Sequence, residues 1–484
     1  MKPLGGLTVL APFRKAVVVA LVLGIAAAHS AAVSAEDACA RVKQRISRIV
    51  RGDRALTRAD VGIFIRATDS GRVLYAKNAD TPMIPASNFK LVTTAVGLHH
   101  LGPDFRFRTE VLGPPPDVGS GIINGNVYLR GNGDPTMVEP WTRPATGPFL
   151  TFADRMWERG VRGITGDVVG DDSAFDRDFL GKGWRRHYLL LDYAPETGAL
   201  SINGNVCHLD VRGDRVNAWP PTSALQYRRV GSRGGPSVSR AFSTNNIIIN
   251  NVKSNPVRTS MTFHNPPLYT TGTFAAILND HKIKVDGGAR LITAAEAPLP
   301  LGLVQYGEHH SAPLLKILKQ INKESDNLFA QHVFKAVGWR TGGQGTLDTT
   351  TRAINEFLTS LGVDVTNLQV ADGCGLSVLN RVTPRQFVEL LDGMSRRPDA
   401  GVWKSTLSVA GKDGTLSYRM RGLNVVGKTG TIDGTVTLSG YCITKAGQQV
   451  SFSILVNHHR TSNDHVRWFQ DEIVKVVAAC NERL

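Results

Sequence analysis

Three short groups of residues could do chemistry in this 484-residue sequence. Ser87-Asn88-Phe89-Lys90 follows Pro85 and opens an apolar-patterned stretch that runs through Leu98 and stops at Gly102-Pro103, so the spacing predicts a helix with Ser87 in its first turn. Positions i and i+3 share one helix face, which makes Ser87 and Lys90 project together. A neutral amine so placed takes the hydroxyl proton, and the helix N-terminus favours the negative charge that develops; this is the chemistry of a covalent nucleophile. The lysine pKa must then fall from about 10.4 toward neutrality, a shift worth roughly 4 kcal/mol that burial or a second cation supplies. Ser325-Asp326-Asn327 stands between two amphipathic stretches, where a tight loop pushes a hydroxyl and an amide into a cleft. Lys428-Thr429-Gly430-Thr431 follows Val425 and Val426 in a predicted strand: a cation, two hydroxyls for a carboxylate, and a glycine that lets a substrate backbone approach. Taken singly, SxxK is expected about twice by chance in a chain this long and reads equally as a helix cap with a solvated lysine, whereas KTG is expected about 0.1 times.

The elements that must position these groups come from both ends of the chain. Ala38, Val42, Ile46 and Ile49 recur at helical spacing, and the segments Val61 to Ala67 and Arg72 to Lys77 flank the turn Asp69-Ser70-Gly71, giving a helix followed by a hairpin. Near the other end, Leu423 to Gly430, Thr435 to Thr444 and Gln449 to Val456 read as three strands before a final helix from about Asn463 to Ala479. One antiparallel sheet built from both termini, with the first and last helices on one face, is the expected closure. Between Pro103 and Pro298 the sequence changes to Gly, Pro, Asn and short β-prone runs, an inserted β-rich region.

Composition narrows the function classes. The formal charge is +15, but the basic residues are scattered without the clustered stripe that nucleic-acid binding needs, so no nucleic-acid partner is expected; loose association with a membrane or polyanionic wall is compatible with the charge. Lys2, Arg14 and Lys15 precede the apolar run Ala16 to Ala28, and Val33-Ser34-Ala35 offers a small-residue cleavage site, so residues 1–35 read as a signal peptide cleaved after Ala35, with a retained anchor as the alternative that the shortness of the run disfavours. Five cysteines are too few for a disulfide scaffold, and no CxxC spacing occurs. The His pairs at 99/100, 309/310 and 458/459 are sequence-adjacent and therefore face apart, so no metal site is expected. Cys39 and Cys480 lie on the two terminal helices, which are expected to pack together, so a disulfide is conceivable there.

The ordered set S-x-x-K, S-D-N, K-T-G is the signature of penicillin-binding proteins and class A β-lactamases. Here the SxxK and SxN groups are far apart, and the sequence resembles the D-alanyl-D-alanine carboxypeptidase/endopeptidase family, the class C low-molecular-mass penicillin-binding proteins, whose large insertion falls between them. Further stretches are similar to that family: Gly131-Asn132-Gly133-Asp134-Pro135-Thr136, GDVVGDDSAF from Gly166 to Phe175, Gly183-Trp184, Ala199 to Asn203, and DGCGLSVLNRVTP from Asp372 to Pro384, in which Cys374 replaces the usual Ser. The resemblance implies an α+β fold: a penicillin-binding/serine β-lactamase-like domain from 36–102 and 300–484, an inserted domain from 103–165 and 260–299, and a third domain, 166–259, nested in it.

It also implies a mechanism without cofactor or metal. Ser87 attacks the carbonyl between two D-alanines, Lys90 accepts its proton, and Ser325 with Lys428 relays a proton to the departing amine. The backbone N–H groups of Ser87 and Thr431 form an oxyanion hole, Asn327 holds the substrate amide, Thr429 and Thr431 meet the terminal carboxylate while Lys428 keeps the local potential positive, and Gly430 leaves the strand edge open to the substrate backbone. Asp171 reads the amino end of the diamino acid, although Asp171 or Asp172 could equally be a turn residue. The expected partners are peptidoglycan stem peptides, their crossbridges and β-lactams, in the periplasm. No ExxLN segment follows Ser325, so the base that deacylates class A β-lactamases is missing. A β-lactamase and a catalytically silent wall binder stay open as alternatives.

Overall fold

The computed structural model describes residues 36–231, 234–253 and 255–484; the signal peptide read in residues 1–35 lies outside them. Strand Asp60–Ala67 pairs antiparallel with Val73–Lys77 on one side and with Gln449–Asn457 on the other, Val61 lying opposite Val456. Thr435–Ile443, Val425–Ile432 and Ser408–Val409 continue the sheet, making six strands assembled from both ends of the chain. Side chains alternate across a strand. Val61, Ile63 and Ile65 therefore share one face, where they pack with Val42 and Ile46 of the helix at 36–52 and with Phe469 and Ile473 of Asn463–Ala478. Ile46 is fully buried between these layers, a burial that stabilises by about 1.5–3 kcal/mol.

Opposite this layer lies the helical part that carries the SxxK and SDN groups. Helices Lys90–Leu101, Asn327–Gly342 and Leu347–Ser360 share one core in which Leu91, Ala95, Val333, Val337, Ile354 and Phe357 are buried. Leu347–Ser360 starts at Thr346, whose hydroxyl accepts from the Thr349 N–H, a cap worth about 1 kcal/mol.

The inserted region holds a five-stranded sheet in the order Ala289–Leu291, Val168–Asp171, Val127–Gly131, Arg108–Gly113, Val304–His310. Of its two parallel pairs, Val127–Gly131 with Val168–Asp171 is joined by a crossover through helix Gly147–Glu158. Two three-stranded sheets follow, one containing Val206–Arg212, Arg215–Trp219 and Val257–Thr262, the other Gln226–Val230, Ser237–Arg240 and Asn246–Asn250. Two expected boundaries shift with these pairings. Strand Val304–His310 hydrogen-bonds to Arg108–Gly113, so the inserted sheet extends past residue 300; Val168–Asp171 lies in that same sheet, so 166 does not open the nested unit. Short β-prone runs reveal that strands exist but not which distant strand completes them.

All five cysteines are free thiols. Cys39 and Cys480 pack against the same terminal-helix core without forming the disulfide considered above; Cys480 lies just past the cap of the last helix.

Candidate active site

Ser87 does not sit in an α-helical turn. It occupies the 3-10 turn Ala86–Phe89, and the α-helix begins at Lys90. A 3-10 turn has three residues per turn, which eclipses i and i+3 and aligns Ser87 with Lys90 more closely than an α-turn would. Lys90 Nζ lies 2.9 Å from Ser87 Oγ and 2.6 Å from both Asn327 Oδ1 and the carbonyl oxygen of Cys374. Lys90 is fully buried, and that burial lowers its pKa against the opposing pull of Asp372 and Asp326. As a neutral amine Lys90 has two N–H donors and one lone pair. Asn327 Oδ1 and the Cys374 carbonyl can only accept, so they take the two donors and leave the lone pair facing the Ser87 hydroxyl.

Ser325 closes the π-helical turn Gln320–Glu324 in a left-handed conformation, φ 63°, and Asp326 caps the next helix by accepting from the Phe329 N–H at 3.0 Å. Lys428, from strand Val425–Ile432, is fully buried and donates to Ser325 Oγ at 2.9 Å and to the Thr429 carbonyl at 2.8 Å. Burial, and the charge that Lys90 carries whenever it is protonated, hold Lys428 well below the ordinary lysine pKa. Thr429 Oγ1 donates to Thr415 Oγ1 at 2.7 Å. Ser87, Ser325, Asn327 and Thr431 open onto one cavity of about 370 Å³, also lined by Tyr188, Tyr193, Leu376 and Asp433.

Gly430 serves a different surface from the expected one. A Cβ there would lie 2.8 Å from Ser87 N and 2.3 Å from Thr437 Oγ1, so the missing side chain lets the strand close on the serine turn itself. Cys374 also departs from expectation. Its thiol is buried, with burial pushing its pKa up, and its carbonyl rather than its sulfur reaches the site. The loop is shaped by Asp372, whose carboxylate accepts from the N–H groups of Gly375 and Ser377 at 2.7 Å, from Asn380 Nδ2 at 2.6 Å and from Trp184 Nε1 at 2.7 Å.

Asp171 is not brought to this cavity. It lies at the end of strand Val168–Asp171, buried, where its carboxylate accepts from Arg130 Nε at 2.7 Å and from Ser173 Oγ at 2.6 Å, lining a separate cavity with Arg108 and Glu110. Asp171→Ala is expected to lower stability by about 1.5–3 kcal/mol in urea titrations while leaving the rate of penicillin acylation unchanged. A fall in cleavage of crosslinked peptide relative to a simple D-Ala-D-Ala peptide would restore its expected role at the diamino acid.

Tyr188, Tyr193 and Asp433 were not legible as site residues. They meet through a span of the inserted region: Arg185 Nη1 pairs with Asp433 Oδ2 at 2.7 Å, and Asn327 Nδ2 donates to the Tyr193 carbonyl at 2.7 Å. This fixes the Asn327 amide in both directions, its oxygen toward Lys90 and its nitrogen toward Tyr193. Trp184, in the stretch noted above, anchors the same span to Asp372.

The chain has counterparts among known proteins. The model of the D-Ala-D-Ala carboxypeptidase 3 (S13) family matches residues 42–480. The chain belongs to that family. Among relatives, the D-alanyl-D-alanine carboxypeptidase of Actinomadura sp. (strain R39) is 30% identical over 439 residues, covering 84% of this chain and 79% of that protein. The D-alanyl-D-alanine carboxypeptidase DacB of Haemophilus influenzae is 25% identical over 431 residues, covering 84% and 87%. The family fold is shared with the crystal structure of penicillin binding protein 4 (dacB) from Haemophilus influenzae, at TM-score 0.74 and 23% identity over 88% of this chain and 97% of that one. The α+β architecture and the family resemblance read from the motifs are thereby shown.

Proposed function

We propose that this D-Ala-D-Ala carboxypeptidase works through an acyl-enzyme at Ser87, trims peptidoglycan stem peptides, cleaves their crosslinks as a D,D-endopeptidase, and does so in the periplasm after loss of residues 1–35. The observation that carries this reading is the buried Lys90 amine, whose two acceptor-only partners leave its lone pair on Ser87. Ser87 Oγ attacks the carbonyl between two D-alanines as its proton passes to Lys90. The oxyanion meets the N–H groups of Ser87 and Thr431, and losing one such donor typically costs roughly 3 to 4 kcal/mol of transition-state stabilisation. The Ser325 hydroxyl relays a proton from Lys428 to the departing amine; water then attacks the acyl group, its proton passing by way of Ser325 to Lys428 while Lys90 returns the first proton to Ser87. Asn327 holds the substrate amide through its remaining N–H, and Thr429 and Thr431 bind the terminal carboxylate beside Lys428. The exported location is supported by the apolar run and the small-residue cleavage site of the leader, and no helix among the described residues is long and apolar enough to cross a membrane.

Intact-mass spectrometry of the mature protein with benzylpenicillin tests this. The expected result is a stoichiometric adduct that persists and is lost in Ser87→Ala. No adduct on folded protein would favour a silent binder, and penicillin consumed without an accumulating adduct would favour a β-lactamase.

A further inference from the structure

Past Ser325 and Asn327 the catalytic cavity adjoins a second one of about 660 Å³ between the SDN turn and the inserted sheets. Ser325, Asn327 and Tyr193 line both, so the two are continuous at the residues that flank the reacting bond. The larger cavity carries two partly buried indoles, each held by a second ring: Trp219 stacks on His208, ring centroids 5.8 Å apart, and Trp141 packs on Phe329 at 5.5 Å. Around them stand the exposed carboxylates of Glu139, Asp192 and Glu324, none in a salt bridge among the described residues.

Flat aromatic faces beside unpaired carboxylates suit a neutral, polyhydroxylated ring, whose C–H face packs on an indole while its hydroxyls donate to carboxylate oxygens. A peptidoglycan strand offers this cavity two kinds of surface. Its stem peptide carries free carboxylates, which three acids outside any salt bridge repel, and a diamino-acid amine, which one carboxylate satisfies without using either indole; its N-acetylated sugars are neutral and use both the ring faces and the acids. A stem of about four residues spans at most roughly 14 Å when extended, which lets one strand occupy Ser87 and the adjoining cavity together. We propose that the larger cavity is a glycan subsite that holds the sugar bearing the peptide cut at Ser87, an assignment that rests on the acyl-transfer reading above. It makes the enzyme select stem peptides still attached to their strand.

The test compares kcat/KM for a stem peptide ending in D-Ala-D-Ala, free and attached to its N-acetylated disaccharide. The wild-type enzyme should favour the disaccharide-bearing peptide by roughly fivefold, the effect of one well-used aromatic face. Trp219→Ala should erase that preference through KM on the disaccharide substrate while leaving the free peptide unchanged, and Trp219→Phe, which keeps a ring face, should retain most of it. Equal kcat/KM with and without sugar in the wild type, or an equal loss on both substrates in Trp219→Ala, overturns the proposal. Calorimetric titration of peptide-free glycan chains into the full-length mature protein gives an independent readout, with binding expected for wild type and lost in Trp219→Ala. Absence of binding by an enzyme that penicillin labels at Ser87 refutes the subsite alone; binding by a protein that penicillin does not label refutes the acyl-transfer reading alone.

Discussion

Replacing Lys90 by Met should lower the rate of acylation by benzylpenicillin by about 10³ to 10⁴-fold, the upper range of what a positioned general base contributes. The side chain is fully buried between Ser87, Asn327 and Cys374, so an unbranched apolar chain of similar length fills the same space and removes only the amine. Met leaves Asn327 Oδ1 and the Cys374 carbonyl without their donor, at about 1–3 kcal/mol for each buried acceptor, so a stability loss of roughly 2–6 kcal/mol is expected. Stopped-flow acylation beside a urea titration separates the two effects. The wild-type profile should also rise with pH as the ammonium is lost, its ascending limb lying below the ordinary lysine range because burial disfavours the charged form. A Lys90→Met enzyme that acylates within tenfold of wild type would remove Lys90 from proton transfer.

Acid should destabilise the protein through a residue that touches no substrate. His332 is fully buried on helix Asn327–Gly342; its Nδ1–H donates to the Leu328 carbonyl at 2.8 Å, and its Nε2 lies 2.8 Å from Ser201 Oγ of the inserted region. Burial lowers its pKa from 6.5 to about 4. Between those values the unfolded chain binds a proton that the folded chain does not, so stability falls as pH drops through 6.5 and the loss is complete below about 4. The difference of 2.5 pKa units corresponds to about 3 kcal/mol. Urea midpoints at pH 7 and pH 4 should therefore show a loss in wild type that exceeds the loss in His332→Gln by about that amount, since Gln can still accept from Ser201 and does not titrate. Equal losses in the two proteins would assign the acid sensitivity elsewhere. The break would occur at the joint between the inserted region and the helix that carries Asn327.

What could be read beforehand was local. The i, i+3 spacing of Ser87 and Lys90, the helices on both sides of Ser325 and the alternation of Val61, Ile63 and Ile65 each follow from a few neighbouring residues, and each reappears in the structure. Non-local information was not available in the same way. Nothing near Asp171 announces Arg130 as its partner, and nothing near Cys374 shows that its carbonyl, not its sulfur, would face Lys90. Gly430 was read as making room for substrate, whereas its neighbour is the Ser87 turn, distant in sequence. The ends of the inserted units were misplaced for the same reason, because Val304–His310 and Val168–Asp171 find their partners across long loops.

The pairing of Asp60–Ala67 with Gln449–Asn457 also sets an order of events during synthesis. Ser87 and Lys90 emerge early, but the strand that brings Thr431 beside them and the strand that completes the sheet are among the last made. On the acyl-enzyme reading proposed above, a chain that still lacks these strands should not yet react with penicillin, because the serine turn and the buried amine precede the strands that close over them.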